Sequence, residues 1–520
     1  MSGNARKSME QLVADLRERK EKLRQGGGPQ RLAKQHEQGK MTARERVDAL
    51  VDPGSFEEVG LFARHRQSNF GMAETEAPAD GVVTGAASIN GRLVHLASQD
   101  FSVLGGSAGE VHSHKVADVM ELALKNGSPF IFINDSGGAR VQEGIDSLSG
   151  YGRVFYTNVM LSGAVPQVSI ICGPCAGGAA YSPALTDFII MTRQAQMFIT
   201  GPQVIKQVTG EQITADALGG ADAHMANSGV VHFVAENDEH ALETCRRLLS
   251  FLPENNLEDP PRAPFENNVD PNPELNTIVP VEPKQSYDMR KVICGIVDQG
   301  DFLEVHAGWA MNIVVGFGRI LGRSIGIIAN QPSVMSGALD INASIKSSRF
   351  IRFCNAFNIP LVTFVDVPGF LPGVQQEYGG IIRNGAKMLF AYSAATVPKI
   401  QVILRKSYGG AHLAMCSKDL GADRVFAWPT AEVAVMGAEG AVEIVFRKEV
   451  QDAQDKAAKR AELIDTYRNT FSTPYVAAGR RLADDIIEPA ETRKHLAQAL
   501  EYLQAKRDFR PPKKHGLIPL

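Results

Sequence analysis

The chain has 520 residues, 44% of them hydrophobic and 22% charged, which is typical of a globular protein long enough for two or more domains. Its formal net charge of −4 gives no overall field that would attract nucleic acid or an anionic membrane. Its six cysteines are too few to predict a disulfide framework, and no uncharged apolar run reaches the roughly 18 residues of a membrane span. We therefore expect a cytoplasmic protein that neither inserts into a membrane nor binds nucleic acid.

The first half of the chain changes from a charged helical pattern to alternating strands and helices. Residues 5–25 repeat apolar side chains at helical spacing and are followed by three glycines. Thr42, with Glu45 three residues later, forms a capping box that predicts a second helix over 42–51. The pattern then predicts strands over 81–89 and 91–98 around a turn at Asn90 and Gly91, a helix over 116–125, and buried strands over 130–133 and 165–172. This order is typical of an α/β domain.

A stretch with seven prolines, from Pro253 to Pro280, precedes a second α/β series. We therefore predict an N-terminal domain over 1–260, a linker over 261–280 and a C-terminal domain over 281–520. The second series begins at 287–297, with strands predicted over 319–330, 361–365 and 400–404, and ends in a charged helical region over 439–469. The basic segment 506–514 is interpreted as a solvated arm rather than a ligand site.

The two halves of the chain resemble each other at a nearly constant offset. Residues 91–100 match 322–331 and residues 129–135 match 360–366, both at an offset of 231. Gly177 and Gly178 match Gly409 and Gly410 at 232. An offset this steady indicates a duplicated structural unit.

A glycine pair follows a β-rich run in each half, which predicts a strand-to-helix turn whose backbone N–H groups could bind an oxyanion. Alone, Gly177 and Gly178 would be interpreted as a simple tight turn. Because Gly409 and Gly410 repeat the pattern, we instead expect two similar oxyanion sites and two carbonyl partners; an enolate with a urea-like or amide oxygen would be one such pair.

Other chemistries have weaker signals. Ser107, Ser136 and Ser182 do not lie in a Gly-x-Ser-x-Gly elbow, and no phosphate-binding loop for ATP is present. His112 and His114 lack a third ligand at a motif spacing, and the pair Cys172 and Cys175 has no second pair, so no metal site is predicted.

Five motifs resemble those of the carboxyltransferase subunit of biotin-dependent acyl-CoA carboxylases. They are DSGGARVQEG at 135–144, GPCAGG at 173–178, ALTD at 184–187, DVPGFLPG at 366–373 and YGGA at 408–411. The resemblance extends from about residue 30 to the end of the chain. Within this family, residues 35–46, 198–205 and 412–416 favour the methylmalonyl-CoA:pyruvate transcarboxylase branch, with the propionyl-CoA carboxylase β subunits close behind.

The resemblance implies a crotonase-like ββα spiral in each half, and a hexamer whose active site lies between the N-terminal domain of one protomer and the C-terminal domain of another. By motif, the N–H groups of Gly177 and Gly178 would bind the acyl-CoA thioester oxygen, and those of Gly410 and Ala411 the biotin ureido oxygen. The remaining predicted substrate-binding residues follow a buried strand or the second glycine turn: Gly137, Gly138, Ala139, His412 and Leu413.

The implied reaction transfers a carboxyl group between carboxybiotin and the α-carbon of propionyl-CoA or methylmalonyl-CoA through an acyl enolate, in a site that excludes water. The chain has no Met-Lys-Met biotinylation motif. Biotin is therefore expected on a biotin carboxyl carrier protein, with a biotin carboxylase or a second carboxyltransferase subunit as a further partner. His412 and Leu413 replace the Tyr and Asp usual in propionyl-CoA carboxylases, so these motifs leave the acyl chain open.

Two alternative functions remain open from the sequence. One is the methylmalonyl-CoA decarboxylase subunit of a sodium-pumping complex, which carries out the same chemistry in reverse. The other is a non-catalytic scaffold that binds acyl-CoA, although its glycine turns are intact.

Overall fold

The structure is a computed structural model that describes residues 7–519. It divides into two compact units: unit 1 extends to Asn256 and unit 2 begins at Leu257. The predicted first helix, 5–25, is observed as Met9–Arg24, and its first two residues lie outside the described part of the chain. None of the side chains of this helix is buried.

Unit 1 contains one sheet with helices around it. Its strands are β1 Glu57–Val59, β2 Val82–Ile89, β3 Arg92–Gln99, β4 Phe130–Ser136, β5 Gln167–Ala176, β6 Phe188–Thr192, β7 Gln196–Phe198 and β8 Phe233–Ala235. Its helices are α1 Met9–Arg24, α2 Pro29–Glu37, α3 Ala43–Leu50, α4 Glu110–Asn126, α5 Ile145–Leu161, α6 Tyr181–Leu185, α7 Pro202–Thr209, α8 Ala215–Gly219, α9 Ala221–Ala223 and α10 Asp238–Leu249.

Unit 2 repeats this plan. Its strands are β9 Leu303–Val305, β10 Ile313–Ile320, β11 Arg323–Asn330, β12 Leu361–Val367, β13 Lys399–Tyr408, β14 Arg424–Ala427, β15 Glu432–Ala434 and β16 Asp485–Ile486. Its helices are α11 Leu275–Ile278, α12 Met289–Cys294, α13 Ile341–Ala356, α14 Val374–Gly379, α15 Ile381–Ala394, α16 Gly409–Ala414, α17 Ala438–Val445, α18 Arg447–Asp452, α19 Lys456–Tyr467, α20 Pro474–Gly479 and α21 Thr492–Tyr502.

The two sheets have the same strand order. In unit 1 the order is β1-β2-β3-β4-β5-β6-β8 with β7 beside β5, and in unit 2 it is β9-β10-β11-β12-β13-β14-β16 with β15 beside β13. Each sheet begins with antiparallel strands and continues with parallel ones. Every residue of β4 and of β12 is buried, as expected for central parallel strands covered on both faces. The predicted duplicated α/β fold is confirmed.

The first hairpin of each sheet ends in a turn that an aspartate holds. In unit 1 the Asp52 carboxylate accepts hydrogen bonds from the N–H groups of Asn90 (3.0 Å) and Gly91 (2.8 Å). These bonds, led by the one from Gly91, hold the pKa of Asp52 below its usual range. The predicted pair of strands around Asn90 and Gly91 is therefore confirmed.

The prediction of one strand over 319–330 was wrong. Leu321 and Gly322 form a turn, with φ of +50° and +75°, and their N–H groups donate to the Asp298 carboxylate at 3.0 and 2.7 Å. Two strands that are mostly apolar, Ile313–Ile320 and Arg323–Asn330, flank this turn, so the hydrophobic pattern alone did not indicate it. The repeat did indicate it, because Gly322 is the counterpart of Gly91.

The interpretation of 506–514 as a solvated arm was wrong for its first part. The Lys506 ammonium donates to the Val397 carbonyl at 3.0 Å and to the Asp423 carboxylate at 2.8 Å. Arg510 donates to the Ala395 carbonyl at 3.2 Å. These bonds fasten the segment to the body of unit 2.

A buried lysine holds the loop between β9 and β10. The Lys346 ammonium lies 2.8–3.4 Å from four backbone carbonyl oxygens, those of His306, Trp309, Ala310 and Ile313. Its counterpart in unit 1, Lys115, donates to only two carbonyls, at 2.7 and 2.6 Å. Backbone carbonyls buried without a donor are costly, so these ammonium groups stabilise the loops around them.

We expect Lys346→Met to lower the free energy of unfolding by about 3 kcal/mol. Lys115→Met should lower it by less, because it leaves fewer backbone carbonyls without a donor. Urea denaturation measures both. Lys125→Met, at an exposed lysine in the last turn of α4, is the matched control and should change stability by at most about 0.5 kcal/mol. Equal stability of the Lys346 and Lys125 variants would contradict this role.

Candidate functional site

Each sheet has a break in its central ladder at an aspartate. In unit 1 Asn134 pairs with Ile171 but Ser136 pairs with Cys175, so the register shifts around Asp135. In unit 2 the same shift occurs around Asp366. Beyond the shift, β5 pairs with β7 and β13 pairs with β15. Near its carboxyl end, β5 therefore leaves β6 and pairs with β7, and β13 likewise leaves β14 and pairs with β15. The glycine turn follows directly after each of these two strands.

The two glycine turns begin in the same way, with a glycine at positive φ. Gly177 has φ +61° and Gly409 has φ +60°, a region that favours glycine, and each follows an extended residue at the end of its strand. A helical segment begins at once in both: the 3₁₀ turn Gly177–Ala180, which continues into α6, and α16. N–H groups in the first turn of a helix lack partners within the helix and can bind an anion. We refer to these two segments as the Gly177 turn and the Gly409 turn; the predicted strand-to-helix transition is confirmed.

The loop after β4 passes directly beside the Gly177 turn. Gly138 has φ +102°, and a Cβ on it would lie 2.9 Å from the Ala176 carbonyl oxygen, so only glycine fits without a shift. The Gly138 carbonyl accepts a hydrogen bond from Ala108 N, and Ala108 O accepts one from Arg140 N, both at 2.9 Å. The structure thus places the predicted residues Gly137, Gly138 and Ala139 next to the strand end that leads to Gly177.

His412 and Leu413 lie in the first helical turn after Gly409. His412 Nδ1 is 2.8 Å from the Ser407 hydroxyl oxygen, and its half-burial lowers the pKa of the ring. The imidazole is therefore neutral at neutral pH. The Leu413 side chain is 39% exposed and free to contact a ligand.

An aromatic ring lies behind each glycine turn, which the sequence analysis missed. A Cβ on Gly178 would lie 3.4 Å from the Tyr151 ring on α5, and a Cβ on Gly410 would lie 3.9 Å from the Phe370 ring in the loop after β12. These rings give the two turns an apolar backing, which strengthens hydrogen bonds to an oxyanion by excluding water.

Asp135 in unit 1 is held by cations from the N-terminal segment. The Lys40 ammonium lies 2.6 Å and the Arg46 guanidinium 2.9 Å from its Oδ2, and all three side chains are buried. Arg46 also donates to Asp238 at 2.7 Å. A Cβ on Gly173 would lie 2.6 Å from the Lys40 ammonium, so glycine at this position leaves the space that the lysine occupies.

Asp366 in unit 2 is held by Arg405 from the neighbouring strand. Arg405 Nε donates to Asp366 Oδ2 at 3.0 Å, and Lys406 N donates to Oδ1 at 3.2 Å. Burial raises the pKa of Asp366, and the charge of Arg405 opposes that rise. In the repeat, Arg405 is the counterpart of Gly173. The two units therefore neutralise the same aspartate from different parts of the sequence.

The other chemistry-bearing residues are structural. The buried His112 lies 2.9 Å from the Asp80 carbonyl oxygen through Nδ1 and 3.3 Å from the Gln99 amide through Nε2, and burial lowers its pKa to about 3. Burial raises the pKa of Cys172, and raises that of Cys175 to about 12, so neither thiol is activated. Within residues 7–519 no group of three or more potential metal ligands comes together.

Residues 34–518 match the family described as the carboxyl transferase domain. The chain belongs to the carboxyl transferase family. It is an enzyme of the transcarboxylase and propionyl-CoA carboxylase type, as the motifs around both glycine turns predict. Between residues 7 and 519 no helix has the length and apolar character needed to cross a bilayer.

Three relatives match almost the whole of this carboxyltransferase. The methylmalonyl-CoA carboxyltransferase 12S subunit of Propionibacterium freudenreichii subsp. shermanii is 64% identical over 98% of this chain and 98% of its own. The carboxyltransferase subunit of Haloferax mediterranei propionyl-CoA carboxylase is 55% identical over 99% and 100%. The methylmalonyl-CoA decarboxylase subunit alpha of Propionigenium modestum is 55% identical over 98% and 99%.

A solved structure matches the whole chain in three dimensions. The crystal structure of transcarboxylase 12S, described as a hexamer assembly with methylmalonyl-CoA and methylmalonic acid bound, has a TM-score of 0.98 and 62% identity, with 100% of both chains covered. The crotonase-like fold that the sequence implied is therefore confirmed.

Proposed function

We propose that this carboxyltransferase moves a carboxyl group between biotin and the α-carbon of propionyl-CoA or methylmalonyl-CoA, with one glycine turn for each carbonyl partner. The observation that carries the proposal is the repeated backbone conformation at Gly177 and Gly409. Relatives named for methylmalonyl-CoA and propionyl-CoA support the choice of acyl group.

The Gly177 turn is proposed to stabilise the acyl enolate. Removing a proton from the α-carbon of an acyl-CoA moves negative charge onto the thioester oxygen. The N–H groups of Gly177 and Gly178 would donate to that oxygen, and the neighbouring Gly137, Gly138 and Ala139 would bind the acyl-CoA beside it. In oxyanion holes each such donor contributes about 2.7–4 kcal/mol to transition-state stabilisation.

The Gly409 turn is proposed to bind the ureido oxygen of biotin through the N–H groups of Gly410 and Ala411. Biotin, when bound, supplies the ureido nitrogen that carries the carboxyl group. The proposal is supported by the lack of a side chain at Gly410, which leaves space beside the Phe370 ring, 3.9 Å from where a Cβ would be. Because His412 is neutral, the oxygen would be attracted by the positive end of the backbone dipoles of the turn and not by an imidazolium.

We further propose the assembly that these roles require. Biotin would arrive on a separate carrier protein, and a biotin carboxylase or a second carboxyltransferase subunit would supply or accept the carboxyl group in the cytoplasm. A homo-hexamer is supported by the hexamer described for transcarboxylase 12S. In it, the Gly177 turn of one protomer would work with the Gly409 turn of another.

An assay with free biotin tests the acyl group. We expect the purified full chain to transfer the carboxyl group from methylmalonyl-CoA to free biotin and, with carboxybiotin supplied as the donor, to carboxylate propionyl-CoA better than acetyl-CoA or a long-chain acyl-CoA. The readout is kcat/KM for each acyl-CoA. If acetyl-CoA or a long-chain acyl-CoA reacts at least as well as propionyl-CoA, the proposed acyl group is wrong.

A second assay separates the biological settings. Methylmalonyl-CoA is supplied with pyruvate and candidate partner subunits, or propionyl-CoA is supplied with ATP and bicarbonate. Transfer to pyruvate indicates a transcarboxylase, and ATP-dependent carboxylation indicates a carboxylase. Sodium-coupled loss of CO₂ with membrane subunits would instead indicate the decarboxylase setting, for which a 55% identical relative exists.

A further inference from the structure

Unit 2 contains a cavity at the edge of its sheet that lies opposite the Gly409 turn. The cavity has a volume of about 390 Å³ and lies where the parallel strands β11, β12 and β13 begin. The Gly409 turn follows the other end of β13, which at about 3.3 Å per residue is roughly 30 Å away. The cavity is therefore separate from the proposed site of carboxyl transfer.

The walls of this cavity are held by hydrogen bonds. The floor is formed by Ser324, Pro360 and Pro398 at the strand starts, and one wall by the segment around Arg262. Arg262 Nε donates to the Leu321 carbonyl at 3.0 Å. The opposite wall is the end of α21 and the tail that Lys506 fastens to the body of unit 2. Hydrogen bonds within unit 2 thus hold both walls, and most small-molecule sites are likewise largely pre-formed.

The lining contains four cations and two carboxylates, those of Asp259 and Asp508, of which Asp508 is paired with Arg510. Two of the four cations have N–H donors to spare. Arg323 already donates to the Leu500 carbonyl at 2.8 Å and to the Gln504 side-chain oxygen at 2.9 Å. Lys506 already donates to Val397 and Asp423. Arg262 uses only its Nε in a hydrogen bond, and its guanidinium lies 4.2 Å from the centre of the Phe265 ring. Arg507 uses only one terminal nitrogen, on the Lys506 carbonyl at 2.9 Å. A guanidinium has five N–H donors, so both can bind an oxyanion.

A buried hydroxyl also indicates a missing partner. Ser324 borders the cavity, is 3% exposed, and its Oγ has no hydrogen-bond partner within residues 7–519. A buried hydroxyl without a partner costs about 1–3 kcal/mol, and such groups are rare in native proteins. A ligand in the cavity would supply the partner.

We propose that this cavity binds a small organic anion, whose phosphate or carboxylate head meets Arg262 and Arg507 and whose compact body contacts the apolar lining and the Ser324 hydroxyl. The apolar lining comes from Pro260, Pro360, Val397, Pro398 and Leu500. The volume falls within the roughly 300–1,000 Å³ of small-molecule sites. A nucleoside monophosphate and a short-chain carboxylate both have this chemistry. The proposal does not rest on the proposed carboxyl transfer.

Calorimetric titration of the full chain with AMP and, separately, with hexanoate tests the site. We expect at least one of the two to bind at one site per chain. The double variant R262E/R507E should weaken that binding by at least about tenfold, because each lost charged hydrogen bond contributes about 1.5–3 kcal/mol. Lys513→Glu is the matched control: it reverses an exposed charge in the same tail, outside the lining, and should bind as the wild type does.

Ser324→Ala separates binding from folding. Without ligand this variant should be as stable as the wild type or more so, because the hydroxyl it removes has no partner. Its affinity for the bound probe should fall severalfold, while carboxyl transfer stays unchanged in every variant.

Each outcome decides the proposal. Binding of AMP alone identifies a phosphate ligand, binding of hexanoate alone identifies a carboxylate, and binding of both shows that the oxyanion is what is recognised. The proposal is overturned if neither binds, or if R262E/R507E binds as tightly as the Lys513→Glu control.

Discussion

Gly409→Val is expected to lower the rate of carboxyl transfer to biotin by about 100-fold or more, while binding of acyl-CoA remains close to that of the wild type. Gly409 has φ +60°, and a Cβ on it would lie 3.0 Å from the Val435 carbonyl oxygen. A β-branched residue at such a φ is strained, so the turn must shift and move the N–H groups of Gly410 and Ala411. Loss of one oxyanion-hole donor costs about 10²–10³ in rate.

Gly177→Val should give the complementary result. Gly177 has φ +61°, and the nearest atom to its Cβ would be 3.9 Å away, so the strain comes from the backbone alone. If the Gly177 turn serves the acyl-CoA, this variant loses transfer and also raises the KM for acyl-CoA. The Gly409 variant should instead raise the KM for free biotin. The same KM pattern in both variants would contradict separate roles for the two turns.

Gly91→Val is the matched control for backbone strain. Gly91 has φ +75° in the β2–β3 turn, with no atom within 4 Å of where its Cβ would be. It should destabilise the chain by the same order, about 1–3 kcal/mol, and leave carboxyl transfer unchanged.

Mixing the two inactive variants tests whether the turns act between protomers. A site built from two different protomers can combine the intact Gly409 turn of one variant with the intact Gly177 turn of the other. Random reassembly of a symmetric oligomer would then restore up to about a quarter of the sites. Sites built within one chain would regain nothing, since every chain carries one altered turn.

The glycine turns and the duplicated fold could be predicted because they depend on local requirements that appear twice. A turn at positive φ needs glycine, and the same glycine occurs at 177 and 409 with a strand before it and a helix after it. The constant offset then relates one half to the other. The start of α3 could be predicted for the same reason, since a helix cap is a local requirement: Thr42 and Glu45 form the capping box that their spacing predicts.

The cations behind the turns could not be predicted because they pair across long stretches of sequence. Lys40 and Arg46 meet Asp135 only after unit 1 has folded, and no local pattern relates them. Arg405 left a weak signal in the sequence, since it directly follows the strand predicted over 400–404. A charge inside a buried strand needs a buried partner, and Asp366 is the carboxylate at the end of the neighbouring strand.

Arg405→Met is expected to lower the free energy of unfolding of unit 2 by about 3–5 kcal/mol, because it leaves the buried Asp366 carboxylate with no cation nearer than the Lys406 ammonium at 3.9 Å. It also removes the donor that Arg405 Nη1 provides to three backbone carbonyls of the segment before α12, those of Pro280, Glu282 and Gln285. Thermal unfolding should report a fall of the order of 10 °C in Tm.

The loss of stability in the Arg405→Met variant should depend on pH, and the direction of that dependence identifies Asp366 as the group responsible. Burial already raises the pKa of Asp366, and without Arg405 to oppose it the pKa rises further. A carboxyl group whose pKa is higher in the folded than in the unfolded state takes up a proton on folding, so stability increases as the pH falls. The deficit of the Arg405→Met variant should therefore be smaller at about pH 5.5 than at about pH 8.

Two further variants separate the charge from the packing of Arg405. D366N/R405M removes both charges and should recover part of the loss at about pH 8, because no uncompensated carboxylate remains. Arg424→Met, at an exposed arginine of β14, should change stability by at most about 0.5 kcal/mol. A deficit that is equal at both pH values, together with a double variant no more stable than R405M, would show that Arg405 acts through the carbonyls of the segment before α12 and not through Asp366.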